Sequence, residues 1–270
     1  MTRGAMDPRR IALFDSGFGG LTVARAVIDL LPNESIVYLG DTGRYPYGPR
    51  PQHDVRSFAI QITRHLIEHE HAQAVIVACN TASAAALTEL QSMFDVPVFG
   101  VIEPGVRALI DASETGRIGV IGTVGTIASG AYQRAVFRLA PDRELLALPC
   151  PGFVEFVERG EFRSPDVHTL AEELLAPAVD AKIDTLLLGC THYPYLARTI
   201  SDVMGPDVVL VSSADETAFE VRRQMATAAP SEGVPTHRFL TTGDIEWFTE
   251  LGGRLLGPEL DSAERVTLER

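Results

Sequence analysis

Two short apolar runs, each ending in a cysteine, constrain this chain more than any other feature of it. Ala74-Val75-Ile76-Val77-Ala78 leads into Cys79-Asn80-Thr81-Ala82-Ser83, and Thr185-Leu186-Leu187-Leu188-Gly189 leads into Cys190-Thr191-His192-Tyr193-Pro194. Apolar runs without polar alternation are strands buried on both faces, the environment of a parallel sheet covered by helices. Open parallel sheets hold ligands outside the carboxyl ends of their strands, and both cysteines fall there. The alanine-rich segment after Cys79 predicts a helix, whose positive end would favour the ionised thiol. The cysteines stand 111 residues apart and read as a matched pair.

The rest of the chain repeats this device. Ile11-Ala12-Leu13-Phe14 is a buried strand broken at Asp15-Ser16-Gly17-Phe18-Gly19-Gly20, and residues 21–31 carry helical periodicity. Residues 36–39 form the next strand, followed by Gly40-Asp41-Thr42-Gly43 and the turn-rich Tyr45-Pro46-Tyr47-Gly48-Pro49-Arg50. A helix over about 54–71 precedes the Cys79 strand, and residues 96–101 are strand-like, interrupted by Pro97 and leading to Glu103-Pro104-Gly105. Residues 117–126 then restart the pattern of strand, polar residue, glycine turn and helix. Ser16 precedes Cys79 by 63 positions and Thr123 precedes Cys190 by 67, which suggests two duplicated α/β units. Later strands are expected at 145–148, 208–211 and 238–241, helices at 153–161 and 170–179, and a closing amphipathic helix capped by Asp244.

Composition removes several classes of function. A net charge of −13 argues against nucleic acid as a direct ligand, because phosphate contacts need a basic face. No run is long enough to span a membrane, and three widely spaced cysteines fit a reducing cytoplasm better than a disulfide framework. Residues 1–9 read as a tag remnant and are set aside. Lys182 is the single lysine and precedes the Cys190 strand, at the wrong end for a Schiff base in a site at the carboxyl edge.

The remaining motifs allow competing readings. Gly17-Phe18-Gly19-Gly20-Leu21-Thr22 lacks the third glycine of a dinucleotide fingerprint, so a tight turn setting a helix N-terminus over an anionic ligand is favoured. Cys79, Cys190 and His192 contain no C-x-x-C pair, and no metal is expected. Cys150, between Pro149 and Pro151, reads as an inert buried thiol. A redox role for Cys79 and Cys190 is disfavoured by their separation in sequence.

Two opposed thiols suit a different chemistry. One thiolate removes the proton of a carbon acid while the other thiol protonates the opposite face, inverting the stereocentre with no cofactor. At this point the motifs form a recognisable set. Asp-Ser-Gly-x-Gly-Gly-Leu-Thr-Val (15–23), Gly-Asp-Thr and Pro-Tyr-Gly-Pro-Arg (within 40–50), Ala-Cys-Asn-Thr-Ala-Ser (78–83), Gly-Val-Ile-Gly-Thr-x-Gly-Thr (119–126) and Leu-Gly-Cys-Thr-His-Tyr-Pro (188–194) resemble the bacterial glutamate racemase family, over about 10–257.

The resemblance implies an α/β fold of two pseudo-symmetric domains, each a mostly parallel sheet flanked by helices, with the active site at the domain interface. The first domain would comprise residues 10–98 and 209–270, and the second 99–208. Cys79 would handle the α-proton of D-glutamate and Cys190 that of L-glutamate, assisted by Asp15, His192 and Glu158. Ser16, Pro46, Tyr47, Gly48, Asn80, Thr81, Thr123 and Thr191 would hold the amino and carboxylate groups, with Asp15, Cys79, Cys190 and His192 also touching substrate. His192 favours glutamate over aspartate, since glutamate follows the second cysteine-threonine pair in aspartate racemases. A homodimer supplying D-glutamate for peptidoglycan is implied, while contact with DNA gyrase is left undecided. The alternatives are a racemase of aspartate or another amino acid, and a binding protein with inert cysteines.

Overall fold

The computed structural model describes residues 10–225 and 234–268. The residues read as a tag remnant, 1–9, lie outside them. Strands β1 (Arg10–Asp15), β2 (Ser35–Gly40) and β3 (Ala74–Val77) are buried throughout except at Arg10, as expected of strands covered on both faces. Helices α1 (Leu21–Leu30) and α2 (Gln52–Glu68) make the crossovers. The chain continues through α3 (Asn80–Met93) and β4 (Val98–Gly100) into α4 (Ile102–Ala112).

Glu103-Pro104-Gly105 lies in the opening of α4. Proline is tolerated in a first helical turn, where its missing N–H has no partner to lose. Gly105 lets the helix close on the second unit, since a Cβ there would lie 3.0 Å from Ser213 Cβ and 3.2 Å from Leu187 Cδ1.

The second unit contains β5 (Ile118–Gly122), α5 (Val124–Ala128), α6 (Ala131–Leu139), β6 (Leu145–Pro149), α7 (Phe153–Glu158), α8 (Pro165–Asp180), β7 (Thr185–Leu188), a 3-10 turn (Tyr193–Leu196), α9 (Ala197–Met204) and β8 (Val209–Ser212). The chain then returns through α10 (Ala214–Met225), β9 (His237–Thr241), α11 (Ile245–Leu256) and β10 (Glu264–Arg265).

Both sheets are parallel, in the orders β10-β9-β2-β1-β3-β4 and β6-β5-β7-β8. The duplication is therefore one of topology: β2-β1-β3-β4 and β6-β5-β7-β8 have the same order. In each, the first and third strands lie side by side at the point where the winding reverses, the place such sheets bind ligands. Ser16 follows β1 and Thr123 follows β5, while Cys79 and Cys190 follow β3 and β7. Apolar clusters fill both faces of both sheets.

The expected domain limits need correction at both crossings. Gly100 still pairs with Val77 in the first sheet, and Val209 pairs with Thr185 in the second. The strand expected to re-enter the first unit is thus the edge strand of the second. The return is made by α10, whose Ala214, Ala218, Val221 and Met225 join the core around α1.

Asp244 caps α11 as expected, its Oδ1 accepting from the Trp247 N–H at 2.7 Å. The fully buried Phe248 of α11 stacks on Phe18, with ring centroids 5.3 Å apart, and lies beside Tyr38. The Tyr38 hydroxyl donates to the Gly17 carbonyl at 3.0 Å, so the C-terminal helix supports the loop that carries Ser16. No helix among the described residues is long and apolar enough to cross a membrane. Phe248→Ala should cost about 3–5 kcal/mol of stability in chemical denaturation, because it leaves a cavity against Phe18 and Tyr38; a loss below about 1 kcal/mol would contradict this packing.

Candidate active site

The carboxyl ends of β1 and β3 face those of β5 and β7 across a cleft of about 620 Å³, mouth included. The first unit contributes Ser16, the turn at 45–49 and Cys79-Asn80-Thr81. The second contributes Thr123, Val124, Cys150-Pro151-Gly152, Val154, Glu155 and Cys190-Thr191-His192. Both predicted thiols are free, buried and present in the same cleft wall.

Their surroundings differ. Cys79 is the N-cap of α3, its sulfur accepting from the Ala82 N–H at 3.5 Å and lying 4.0 Å from Ser16 Oγ. Burial nevertheless pushes this thiol well above the ordinary range, the Asp15 charge adds to the shift, and the Ala82 N–H only partly opposes it. The helix terminus acts in the direction expected from its position, and burial is the larger effect. Desolvation outweighs one amide.

Cys190 has a titratable partner in direct reach. His192 Nδ1 lies 3.8 Å from its sulfur, and His192 Nε2 is 2.8 Å from Glu158 Oε1. Burial by itself would lower the affinity of His192 for a proton. The hydrogen bonds to Cys190 and Glu158 outweigh it and hold the ring well above the ordinary histidine value. Burial raises Glu158 as well, with His192 holding it partly back.

Asp15, expected to contact substrate, is fully buried and lies behind Ser16 and Thr191 of the cleft lining. Its Oδ1 accepts from the Gly17 N–H at 2.8 Å and the Ser16 hydroxyl at 3.1 Å, and its Oδ2 from the Thr191 hydroxyl at 2.9 Å. Glu158 likewise stands behind His192. Tyr47 reaches the cleft, but its hydroxyl donates to Asp41 and is not free to bind a ligand. The glycine turn does not set the start of α1 over the cleft either. It packs against the second unit, where a Cβ on Gly19 would fall 2.3 Å from His192 Nδ1 and 2.6 Å from Thr191 Oγ1.

Other contacts lock the units together on the far side. The Thr81 hydroxyl is 3.0 Å from those of Thr123 and Thr126, and the Gly125 N–H donates to the Gly48 carbonyl at 3.0 Å. Asn80 Nδ2 donates to the Tyr132 hydroxyl at 2.7 Å. Of these, Thr126 ends the 119–126 motif, whereas Tyr132 gives no local signal in the sequence. Cys150 is also a wall residue, its thiol pushed up to about 12 by burial.

Paired thiols, one from each of two units with the same strand order, share this cleft with hydroxyls and a histidine, side chains of the kind that acid–base chemistry such as racemisation uses. The description of the family model that matches residues 21–220 agrees: Asp/Glu/hydantoin racemase. A glutamate racemase of Beutenbergia cavernae is 49% identical, over 95% of this chain and 92% of its own. Among solved structures, a glutamate racemase isoform of Bacillus anthracis superposes with a TM-score of 0.90 at 41% identity, covering 97% of both chains. The Francisella tularensis glutamate racemase in complex with D-glutamate gives 0.91 at 34%, covering 98% of this chain and 99% of that one. The chain belongs to the Asp/Glu/hydantoin racemase family and, within it, to the glutamate racemases.

The shift of His192 has a consequence for stability. A folded value above the unfolded 6.5 means that the protonated ring stabilises the fold fully below that pH, and that this contribution is lost as pH rises through the folded value. Glu158, also raised, acts in the same direction. His192→Asn should therefore flatten the fall in Tm above about pH 6.5; parallel Tm profiles for the two proteins would refute the assignment.

Proposed function

We propose that the chain interconverts L- and D-glutamate by a two-base mechanism in which Cys79 and Cys190 act on opposite faces of the α-carbon, without a cofactor. The observation that carries this reading is the presence of both thiols in one cleft wall, each following the third strand of its unit. The α-proton of L-glutamate passes to the Cys190 sulfur, leaving the electron pair on the α-carbon. The Cys79 thiol then donates its proton to the other face, and the reverse direction exchanges the roles.

His192 assists Cys190 directly. Asp15 serves Cys79 at one remove, through Ser16, which accounts for the different surroundings of the two sulfurs. Ser16, Asn80, Thr81, Thr123 and Thr191, with the turn containing Pro46, Tyr47 and Gly48, hold the amino and carboxylate groups. Glutamate is favoured over aspartate by His192 and by the names of the close relatives. In this reading the enzyme is a cytoplasmic homodimer whose D-glutamate supplies peptidoglycan, and sedimentation would test the dimer.

Turnover in deuterated water, with no cofactor added, should place solvent deuterium at the α-carbon of the inverted enantiomer. Cys79→Ala and Cys190→Ala should each lower kcat by roughly a thousandfold or more, the scale of a lost acid–base group. Cys150→Ala should stay within about threefold, since its thiol holds no proton-transfer partner. Near-normal turnover in either of the first two variants would sink the mechanism. Glutamate binding without any α-exchange would favour a binding protein instead.

A further inference from the structure

Tyr132 belongs to α6 in the second unit, is fully buried, and has no part in the proton transfers above. Its ring lies against Gly189, the residue before Cys190, where a Cβ would come within 3.0 Å of Tyr132 Cε2. Its hydroxyl accepts the 2.7 Å hydrogen bond from Nδ2 of Asn80, the residue after Cys79. One side chain of the second unit thus touches the immediate neighbours of both thiols.

The state of Asn80 gives this contact a purpose. Asn80 is 2% exposed and lines the cleft, while its Oδ1 is buried with no hydrogen-bond partner among the described residues. The amide is planar, with its oxygen and nitrogen on opposite sides of Cγ. Anchoring Nδ2 on Tyr132 therefore fixes Oδ1 on the side away from it. A buried carbonyl oxygen is costly unless a donor completes it, and an ammonium group is a strong one.

We propose that Tyr132 is a positioning residue for substrate binding: its hydroxyl holds the Asn80 amide so that Oδ1 accepts from the α-ammonium group, while its ring seats Gly189 beside Cys190. This rests on the reading of the cleft as the glutamate site. The ring and the hydroxyl can be separated, because phenylalanine keeps the packing against Gly189 and removes only the anchor of the amide.

The test is steady-state kinetics with L- and D-glutamate on Tyr132→Phe, Asn80→Ala and the double variant, with Tm measured in parallel. Tyr132→Phe should raise KM about tenfold for both enantiomers, the scale of one lost hydrogen bond, and leave kcat within about threefold. The double variant should be no worse than Asn80→Ala, because the hydroxyl acts only through that amide. An unchanged KM in folded Tyr132→Phe, with or without a lower Tm, would overturn the proposal. So would effects of the two substitutions that multiply.

Should Tyr132→Phe not fold, NMR of the Asn80 side-chain amide in the unsubstituted protein, assigned by its loss in Asn80→Ala, provides the second arm. An amide anchored on the Tyr132 hydroxyl should exchange its protons slowly with solvent before and after glutamate is added, and its resonances should shift on binding. Fast exchange, or resonances that glutamate leaves unmoved, would count against the proposal. The two levels of failure are distinguishable. If Asn80→Ala itself leaves KM intact, the assignment of the cleft fails; if it raises KM and Tyr132→Phe does not, only the role of Tyr132 fails.

Discussion

The buried carboxylate of Asp15 is the interaction on which the arrangement of the cleft depends. A charge removed from water is tolerated only when hydrogen bonds replace its hydration, and Asp15 has three donors. Two come from its own loop, through Ser16 and Gly17, and the third is the Thr191 hydroxyl of the other unit. Thr191 lies between Cys190 and His192 in sequence, so satisfying Asp15 also sets where the second thiol meets the first unit. The bare backbone of Gly19 makes the approach possible, because any side chain there would collide with His192 and Thr191.

Shared topology has not produced shared chemistry. Both thiols follow the third strand of a sheet with the same strand order, and both are buried. Yet Cys79 is held by a backbone amide and a serine hydroxyl, and Cys190 by a histidine backed by a carboxylate. A duplicated fold supplies two strand ends facing one space. The side chains placed a layer further out decide what each strand end can do, which is why fold alone does not define an activity.

Much of this was legible in the chain itself. Buried parallel strands announce themselves as apolar runs, and Cys79, Cys190, Ser16, Thr81, Thr123 and His192 all reach the cleft wall. What periodicity cannot report is which sheet a strand joins. Residues 209–212 look equally suited to opening one unit or edging another, and only their pairing with β7 decides. The start of α4 carries no clear local signal, because its proline is merely tolerated in a first turn and its glycine is needed for close packing. Depth was hidden too: nothing local places Asp15 behind the wall, or brings Tyr132 to Asn80 from 52 residues away.

The cleft wall contains no arginine or lysine among the described residues, although the expected substrate carries two carboxylates. The hydroxyls of Ser16, Thr81, Thr123 and Thr191 line it instead, with His192 the basic side chain among them. The long-range field is instead that of a chain with net charge −13, which repels an anion before it arrives. Added salt screens that repulsion, so an anion should approach a chain of this charge faster in a concentrated ionic medium than in a dilute one.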